Sequence, residues 1–481
     1  MVTNPADDTL PQPTYAELAA EKAALAGENA ALKQRISELE AALKEALAQL
    51  EAACRAGKRQ AAPFARGERK ANPKPPGRKK GHPPTHRAKP TRVDRTLEVK
   101  LNRTTCLACG GELVDQTIQV QYQVEVPPVQ PVVTQFNIEV ARCAECDQRA
   151  QARHPEQTSD ALGAAAVQIG PRALGLAAEM KHALGVPYRK VAMILEQGLG
   201  LTVVPGTLAR AGQRLAAKAE PTYQHLIVAI RASGVVHADE TGWKVASKNA
   251  WLWVFTADGV TVYTIDRRRS HDVAERILGQ DFQGVLNCDC FLAYDPLPYR
   301  QQKCVGHLLR RCGEIQHAPR PPAAVRLSQR VAALLRGAMT LHRRRDQLPP
   351  EKYTRACARL ETALDRLLDQ TAEPEDEAAR RLVKLLRKQR PRLFTFLYVA
   401  GVAPTNNAAE RAIRPAVVVR KISAGNRSPR GARVHEVVTS LWQTCRQQGR
   451  DFLEVVTTLL RHPQPQVVKL VAPGQPATGP P

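Results

Sequence analysis

The chain has 481 residues, with 70 Lys and Arg against 46 Asp and Glu, so its formal net charge is +24. A charge of this size favours a polyanionic partner. No apolar run approaches the ~20 residues that a membrane helix needs, and the first residues lack the basic-then-apolar order of a signal peptide. We therefore expect a cytoplasmic protein with no membrane partner, in which paired cysteines bind metal rather than form disulfides.

The amino-terminal segment carries a heptad pattern. Leucine recurs every seven residues, at Leu18, Leu25, Leu32 and Leu39. An apolar seam of this period is buried when two helices supercoil. Asn29 occupies the other core position of the heptad, where asparagine favours two parallel chains. The alternative is a single amphipathic helix that packs on its own domain. We interpret residues 15–53 as a coiled coil that forms a homodimer.

Residues 54–96 are rich in proline and positive charge. Between positions 55 and 92 there are 13 Lys and Arg and one acid, Glu68. Such a segment cannot bury a core, so we expect a disordered basic arm that binds DNA phosphates. The cations assigned to DNA in this arm are Arg78, Lys79 and Lys80. A linker that only improves solubility is the alternative.

Two Cys-x-x-Cys pairs lie within residues 97–155. They are Cys106 with Cys109 and Cys143 with Cys146. The stretch between them, from 119 to 140, is rich in β-forming residues, so short strands are expected around both pairs. Four thiolates suit tetrahedral Zn²⁺, and the metal supplies folding energy that a small β module lacks. Because four thiolates fill the coordination shell, the spacing predicts a structural zinc ribbon rather than a catalytic zinc.

Residues 156–230 have a helical pattern. A helix at Pro187–Gln197, a glycine-containing turn and a second helix at Pro205–Ala217 have the spacing of a helix-turn-helix. Arg210 and Arg214 lie on the second helix and are available to DNA. A helix pair with a purely structural role is equally consistent with the pattern.

Two later apolar runs end in an acid, Val235–Asp239 and Gly284–Asp289. Two β-like segments joined at Asp258–Gly259 follow the first run, a helix is expected at Asp272–Leu278, and a last strand at Gln302–Val305. Three strands, a helix and then further strands are the order of a ribonuclease-H-like α/β core.

Carboxylates at the ends of adjacent strands repel one another, and divalent cations relieve that repulsion. Oxygen ligands favour Mg²⁺ or Mn²⁺ over zinc. Two such ions can activate an attacking oxygen and stabilise a leaving oxygen in an in-line phosphoryl displacement. One acid after one strand would indicate little, so the interpretation depends on Asp239 and Asp289 together.

Three blocks of the sequence resemble those of transposases of the insertion-sequence-66 family. They are Ala238–Trp243 with Trp251–Val254, Cys288–Asp295, and Pro404–Pro415 followed by Arg420–Ser423. The heptad helix, the basic arm and the cysteine pairs occur in the same order in that family. The resemblance implies a catalytic Asp-Asp-Glu triad at Asp239, Asp289 and Glu410, with Arg411 and Arg414 near enough to contact phosphates.

Neighbouring residues compete with this assignment. Glu240 follows Asp239 but faces the other side of a strand, and Asp295 is a weaker rival of Asp289. The segment Cys304-Val-Gly-His307 resembles a Cys-x-x-His signature of related transposases. One interpretation is a zinc site of Cys288, Cys290, Cys304 and His307. The other is a buried cysteine with a histidine that steadies the site.

We assign residues 231–430 to the catalytic domain. Leu and Ala at helical spacing predict an all-helical insertion at about 318–400, with breaks at Pro349–Pro350 and Glu373–Glu377. Residues 431–481 are expected to form a helical tail that ends in a proline-rich segment.

Together these features predict a transposase that cuts and joins double-stranded DNA with Mg²⁺ or Mn²⁺. It would bind the terminal inverted repeats of its own element and a target duplex, at the bacterial nucleoid. Accessory proteins of the same element are partners implied by the resemblance alone. The alternatives are a DNA-binding regulator or inactive relic without chemistry, and a nuclease that cuts without joining.

Overall fold

The heptad segment forms one long helix. The computed structural model describes residues 14–58 and 86–470, and helix α1 occupies Tyr15–Lys58. Leu25, Leu32 and Leu39 on α1 are 52%, 58% and 56% exposed. Residues 1–83 form a unit of their own, and no described residue of that unit covers the leucine seam. The predicted arm cations Arg78, Lys79 and Lys80 lie outside the described residues.

The segment with the cysteine pairs contains less β-structure than its sequence predicts. Its two strands, β1 (Val140–Arg142) and β2 (Arg149–Gln151), pair antiparallel. The strands expected between residues 119 and 140 are absent. Within that stretch only its last residue, Val140, belongs to β1. The prediction was wrong here because alternating apolar residues specify a strand only when one face is covered. Val120, Val124 and Val126 are 71%, 79% and 78% exposed.

Three helices precede the main sheet: α2 (Pro171–His182), α3 (Tyr188–Leu199) and α4 (Pro205–Arg231). The predicted helix pair is confirmed, and Gly200, in the left-handed conformation at φ +65°, ends α3. α4 continues well past the predicted end at Ala217, although Pro221 lies inside it. The buried face of α4 extends to Leu226 and Ile230, and this burial outweighs the ~3 kcal/mol cost of an interior proline.

A five-stranded mixed sheet forms the centre of the second unit, residues 84–481. Its strands are β3 (Val235–Val245), β4 (Lys248–Ala257), β5 (Val260–Asp266), β6 (Val285–Cys288) and β7 (Arg300–Lys303). The spatial order is β5-β4-β3-β6-β7, with β3, β4 and β5 antiparallel and β6 and β7 parallel to β3. Helix α5 (His271–Leu278) connects β5 to β6.

Two strand boundaries differ from the prediction. β3 continues to Val245, so Asp239 lies in the middle of a strand rather than at its end. β3 turns into β4 at Ala246 and Ser247, whose φ angles are +50° and +63°. Such a turn normally contains Gly or Asn, and their absence concealed it. β7 lies two residues earlier than predicted because Cys304 already precedes the next helix.

Helix α6 (Val305–His317) lies before the predicted insertion at about 318–400. The helices within the predicted bounds are α7 (Pro322–Arg343), α8 (Pro350–Asp369), α9 (Glu377–Gln389) and α10 (Thr395–Tyr398), and both predicted breaks fall between helices. Leu335, Leu364, Leu386 and Phe396 are fully buried in a hydrophobic cluster that these helices share.

Three helices follow the insertion: α11 (Asn407–Ser423), α12 (Pro429–Gln447) and α13 (Phe452–Arg461). α12 is not part of a separate tail. Val437 and Leu441 on α12 join the same buried cluster as the central sheet. Within the described ranges, no helix is long and apolar enough to cross a membrane.

Side chains of α12 complete the hydrogen bonding of the edge strand β5. The backbone N–H groups of Thr261 and Tyr263 donate to Oγ1 of Thr444 at 3.1 Å and Oγ of Ser440 at 2.9 Å. The next outward N–H, that of Ile265, donates to a carboxylate oxygen of Glu436. An unpaired sheet edge invites association with another chain, and α12 prevents this with acceptors at helical spacing.

Ser440→Ala should therefore lower the free energy of unfolding by about 1–3 kcal/mol, because a buried N–H would lose its acceptor. Chemical denaturation would measure the change. Ser423→Ala is the matched control, since Ser423 is exposed on α11 and should cost under about 0.5 kcal/mol. Equal losses in the two variants would contradict this role of α12.

Candidate catalytic site

The register of two parallel strands brings Asp239 and Asp289 to one edge of the sheet. The paired residues of β3 and β6 are Val235 with Val285, Val236 with Leu286 and His237 with Asn287. Asp239 lies two residues beyond the last pair on β3, and Asp289 lies two residues beyond it on the other chain segment. The two carboxylates therefore occupy equivalent positions on neighbouring segments.

Glu410 reaches this edge from the first turn of α11. Asn406, the residue before the helix, is buried, and its side-chain amide donates to the carbonyl oxygen of Ala238 at 2.7 Å. The buried amide of Asn287 donates to the carbonyl oxygen of Ala403 at 2.7 Å. These two hydrogen bonds fix the start of α11 against both acid-bearing strands.

Negative charge accumulates around Asp239. Burial, together with the charges of Glu240, Asp289 and Glu410, raises the pKa of this carboxyl to about 7, although the hydrogen bond from the backbone N–H of Glu240 lowers it. A carboxylate among carboxylates in a partly buried position favours protonation or cation binding. The three predicted acids thus act on one another electrostatically.

The rival acid Glu240 has other partners. Its buried carboxylate pairs with Arg269 at 2.8 Å and accepts a hydrogen bond from the hydroxyl of Tyr294 at 2.6 Å. The guanidinium of Arg269 lies 4.2 Å from the ring centre of Trp251 and 3.8 Å from that of Phe291. Glu240 therefore links the first two sequence blocks as a structural brace.

Asp295, the rival of Asp289, is surrounded by cations. Lys303, which is completely buried, lies 3.2 Å from it, and Arg392 lies 3.3 Å from it. Lys388 and Gln389 of α9 also contact this carboxylate. Burial alone would raise the pKa of Asp295, but these neighbours outweigh it and lower the pKa. Asp295 anchors the helical insertion to β7.

Cys304 and His307 lie at the start of α6, beside Glu410. The Cys304 sulfur accepts a hydrogen bond from the backbone N–H of Asn406 at 3.2 Å, and His307 Nδ1 lies 3.8 Å from Glu410 Oε1. Burial raises the pKa of Cys304, but His307 and the N–H of Asn406 outweigh it and lower the pKa overall. Contact with Cys304 and the charge of Asp289 raise the pKa of His307 against the effect of burial.

Two groups of side chains within residues 14–58 and 86–470 could each hold a metal ion. They are Cys304, His307 and Glu410, and the half-exposed set His271, Asp272 and Glu275, in each of which all ligand atoms lie within 4.8 Å of one another. The three predicted acids do not form such a group, so their carboxylates are close without being at mutual chelating distance.

The four-ligand zinc interpretation that included Cys288 and Cys290 is not assembled, because neither joins the group of Cys304 and His307. Cys288 lies 3.6 Å from the Lys303 ammonium. Burial raises the pKa of Cys288 to about 12, which disfavours the thiolate that a metal requires.

The first and third blocks are joined by a latch between β3 and the loop after α11. The indole N–H of Trp243 donates to Asn426 Oδ1 at 2.7 Å, and the backbone N–H of Asn426 donates to the carbonyl oxygen of Lys244 at 2.8 Å. Gly425 adopts φ +144°, and a Cβ at this position would lie 2.1 Å from that carbonyl oxygen. The close approach therefore requires glycine.

The first cysteine pair forms a tight turn. The N–H of Gly110 donates to the carbonyl oxygen of Cys106 at 2.9 Å, and the N–H of Cys106 donates to that of Gly111 at 2.8 Å. Gly110 has φ +73°. The backbone N–H groups of Ala108 and Cys109 lower the pKa of the Cys106 thiol, which favours the thiolate.

The second cysteine pair repeats this geometry four and five residues after its first cysteine. The N–H of Asp147 donates to the carbonyl oxygen of Cys143 at 3.0 Å, and the N–H of Cys143 donates to that of Gln148 at 2.9 Å. Asp147 has φ +55°, and backbone N–H groups of Cys146 and Glu145 lower the pKa of Cys143. The two turns are not gathered into one four-sulfur group.

The predicted DNA-contacting arginines outside the arm are accessible. Arg210 and Arg214 are exposed on α4, and Arg411 and Arg414 are exposed on α11. None of the four forms a salt bridge with a carboxylate of the described residues. Their charge is therefore free to attract an anion.

Comparison with protein families identifies this arrangement. The Transposase IS66 family matches residues 166–434, which include the sheet, the insertion, α11 and all three predicted acids. The chain belongs to the IS66 family of transposases. The cysteine turns and α1 lie outside the matched residues.

Two similar proteins come from Sinorhizobium fredii. Uncharacterized protein y4qI is 26% identical over 340 residues, which cover 64% of this chain and 60% of the relative. Uncharacterized protein y4jD is 25% identical over 303 residues, 56% of this chain and 58% of the relative. The chain thus matches about three fifths of the length of each.

Membership in the IS66 family directs attention to residues that sequence reasoning missed. Asn287 and Asn406 are buried amides that join the blocks, and Lys303 is a buried cation opposite Asp295. A polar residue inside the apolar run before Asp289 was the available signal for Asn287.

The raised pKa of Asp239 has a measurable consequence for stability. Between pH ~4 and ~7 the folded protein binds a proton at Asp239 that the unfolded chain has released, so stability should fall as pH rises through this range. We expect a loss of roughly 2–4 kcal/mol in chelator-treated protein, measured by urea denaturation at several pH values.

Asp239→Asn should remove that part of the pH dependence, because the amide does not titrate. Asp258→Asn, in the exposed β4–β5 turn, is the control and should keep the wild-type profile. Identical profiles for Asp239→Asn and the wild type would show that Asp239 titrates normally.

Proposed function

We propose that this IS66 transposase cleaves and joins DNA strands with an Asp-Asp-Glu triad of Asp239, Asp289 and Glu410. The observation that carries the proposal is the register of β3 and β6, which sets two acids at one sheet edge beside the first turn of α11. The raised pKa of Asp239 supports it, because the charges of Asp289 and Glu410 add to the effects of burial and of Glu240.

We further propose that the central sheet is a ribonuclease-H-like core. Three antiparallel strands, a helix and two strands parallel to the first support this assignment. Helices α4 and α12 pack on the sheet within the same hydrophobic cluster. The insertion separates Asp289 from Glu410 along the chain. The hydrogen bond from Asn406 to the carbonyl oxygen of Ala238 holds the start of α11 at the strand edge.

The three acids suit Mg²⁺ or Mn²⁺, since hard divalent ions prefer carboxylate oxygens. Uncompensated negative charge around a half-buried Asp239 is the observation that fits a cation there. When bound, such ions would lower the pKa of an attacking hydroxyl and stabilise the leaving oxygen. Glu410 is 39% exposed, so its side chain has room to move toward the two aspartates.

The proposed reaction consists of two displacements at phosphorus. Water attacks a phosphodiester at the element end, the P–O3′ bond breaks, and the 3′-oxygen leaves as a hydroxyl after gaining a proton. That 3′-hydroxyl then attacks a target phosphodiester, and the displaced target strand leaves with its own 3′-hydroxyl. The triad would hold the divalent ions that stabilise the reacting phosphate, while Arg411 and Arg414 would neutralise flanking phosphates.

A basic surface leading away from the acids supports this placement of DNA. From position 411 to 435 the chain contains seven Arg and Lys and no Asp or Glu. Lys421, Arg427 and Arg430 are exposed, as Arg411 and Arg414 are. Burial and the charge of Arg427 lower the pKa of Lys181 at the end of α2. Phosphates would relieve this repulsion between cations.

We assign recognition of the terminal repeats to α4, through Arg210 and Arg214, and non-specific attraction to the basic arm with Arg78, Lys79 and Lys80. The two cysteine turns are proposed to converge on one structural Zn²⁺ through Cys106, Cys109, Cys143 and Cys146. Their matching hydrogen bonds and lowered cysteine pKa values support this.

The half-exposed leucine seam of α1 supports a homodimer, because a second copy would bury it. A dimer would present two active sites to the two ends of one element. Accessory proteins of the same element remain partners proposed from the family alone.

Asp289→Asn should reduce strand cleavage by at least about 10³-fold, because a neutral amide cannot replace a carboxylate toward a divalent cation. DNA affinity should stay within about twofold. Cleavage of a labelled duplex that carries the element end would measure the rate, and fluorescence anisotropy would measure the DNA affinity. Asp258→Asn is the matched control at an exposed acid and should cleave normally.

Retained cleavage by Asp289→Asn would refute the triad. A strand-transfer assay with a pre-cleaved end and a target plasmid separates the remaining functions. Joined product identifies a transposase, hydrolysis without joining identifies a nuclease, and binding without either identifies a DNA-binding regulator.

Replacing Cys106 and Cys109 together by Ser should release one Zn²⁺ per chain, because two ligands are too few for a structural site. Native mass spectrometry would count the ion. Replacing the buried Cys445, far from both turns in sequence, by Ser is the control and should leave the count unchanged. An unchanged count in the double variant would exclude the ribbon as a zinc site.

A further inference from the structure

A second metal-binding geometry adjoins the proposed triad and shares Glu410 with it. Cys304 precedes α6, His307 lies in its first turn, and Glu410 lies in the first turn of α11. One ligand atom from each of the three lies within 4.8 Å of the other two. Ligand atoms around one tetrahedral ion are about 3.3–3.8 Å apart for metal–ligand bonds of about 2.0–2.3 Å, so small side-chain movements would bring the three into one coordination shell.

Backbone contacts with two other segments position this group. Backbone hydrogen bonds join Cys304 N–H to the carbonyl oxygen of Cys288 at 2.8 Å and Val305 N–H to that of Pro404 at 2.9 Å. They hold the start of α6 between β6 and the loop before α11. The Cys-x-x-His spacing then points both side chains toward Glu410.

An unpaired nitrogen atom of His307 independently favours a bound ligand at this position. His307 Nδ1 is shielded from solvent and has no hydrogen-bond partner, although it lies 3.8 Å from Glu410 Oε1. A buried polar atom without a partner costs free energy. A cation bound by this nitrogen and the adjacent carboxylate would satisfy it.

We propose that Cys304, His307 and Glu410 form a binding site for a thiophilic divalent ion, Zn²⁺ or Cd²⁺, and that its occupancy withdraws Glu410 from the triad. The second half rests on the proposed function. Sulfur and imidazole ligands select Zn²⁺ over Mg²⁺, so the ion that fills this site differs from the one that the three acids suit. Three protein ligands leave a fourth position for water.

The other group, His271, Asp272 and Glu275, gives no comparable inference. His271 Nε2 and Arg268 already pair with Asp272, and the three residues are half-exposed on α5. No sulfur ligand belongs to that group.

The test is zinc stoichiometry of the full chain after metal removal and titration with Zn²⁺, read by native mass spectrometry. The wild type should bind one ion more than His307→Gln. His317→Gln, at the exposed end of the same helix, is the control and should bind as the wild type does. Glu410→Gln and Cys304→Ala should each lower the affinity for this ion by roughly tenfold or more.

Using three separate ligand variants protects the test against misfolding of the Cys304 variant, since Glu410 and His307 are partly exposed. Loss of one ion in His307→Gln and Glu410→Gln, with an unchanged circular dichroism spectrum, supports the site. An unchanged stoichiometry in both variants overturns it. This readout does not depend on DNA cleavage, so it stands or falls independently of the catalytic proposal.

A second measurement addresses the consequence. Zn²⁺ added to the wild type in excess Mg²⁺ should reduce DNA cleavage, and Cys304→Ala should need at least about tenfold more Zn²⁺ for the same fractional loss relative to its own zinc-free rate. Equal sensitivity of the two proteins would overturn the competition for Glu410, whatever their absolute rates.

Discussion

Repulsion between carboxylates at the β3–β6 edge is the constraint around which this protein is organised. The parallel register sets Asp239 and Asp289 at equivalent positions, and burial with nearby charge makes the ionised form of Asp239 costly. The neighbouring acids have cationic partners, Arg269 for Glu240 and a cluster of cations for Asp295, although the charge of Glu240 still raises the pKa of Asp239. Excess negative charge therefore remains at the edge where a cation can enter, although the chain as a whole is strongly basic.

Polar residues in or beside the three sequence blocks hold that edge in place. Asn406 bonds α11 to β3, Asn287 bonds β6 to the loop before α11, and Trp243 bonds β3 to the loop after it. Each is a buried or partly buried polar contact between segments far apart in the chain, which makes misalignment costly. Gly425 has the same purpose, since any side chain there would meet β3.

The sequence was informative where a local pattern determines structure and uninformative where tertiary contacts do. Helical periodicity predicted the helices of the insertion. Pro349–Pro350 and the acidic segment Glu373–Glu377 predicted the breaks between them. The continuation of β3 past Asp239 depends on a turn at Ala246–Ser247 that lacks turn-forming residues. The role of α12 depends on hydrogen bonds from β5 that no periodicity encodes. The acids could be named by resemblance, but their partners, such as Lys303 for Asp295, could not.

Glu410 differs from the two aspartates in a way that follows from its position. The aspartates are fixed by strand register, whereas Glu410 sits on a helix start and is 39% exposed. It is also the acid with a competing neighbour, the Cys304–His307 pair. A carboxylate that can turn toward either side would couple the proposed hard-ion site to its surroundings. Because α11 is held at Asn406 and again at Asn426, this adjustment is confined to the side chain and does not require the helix to move.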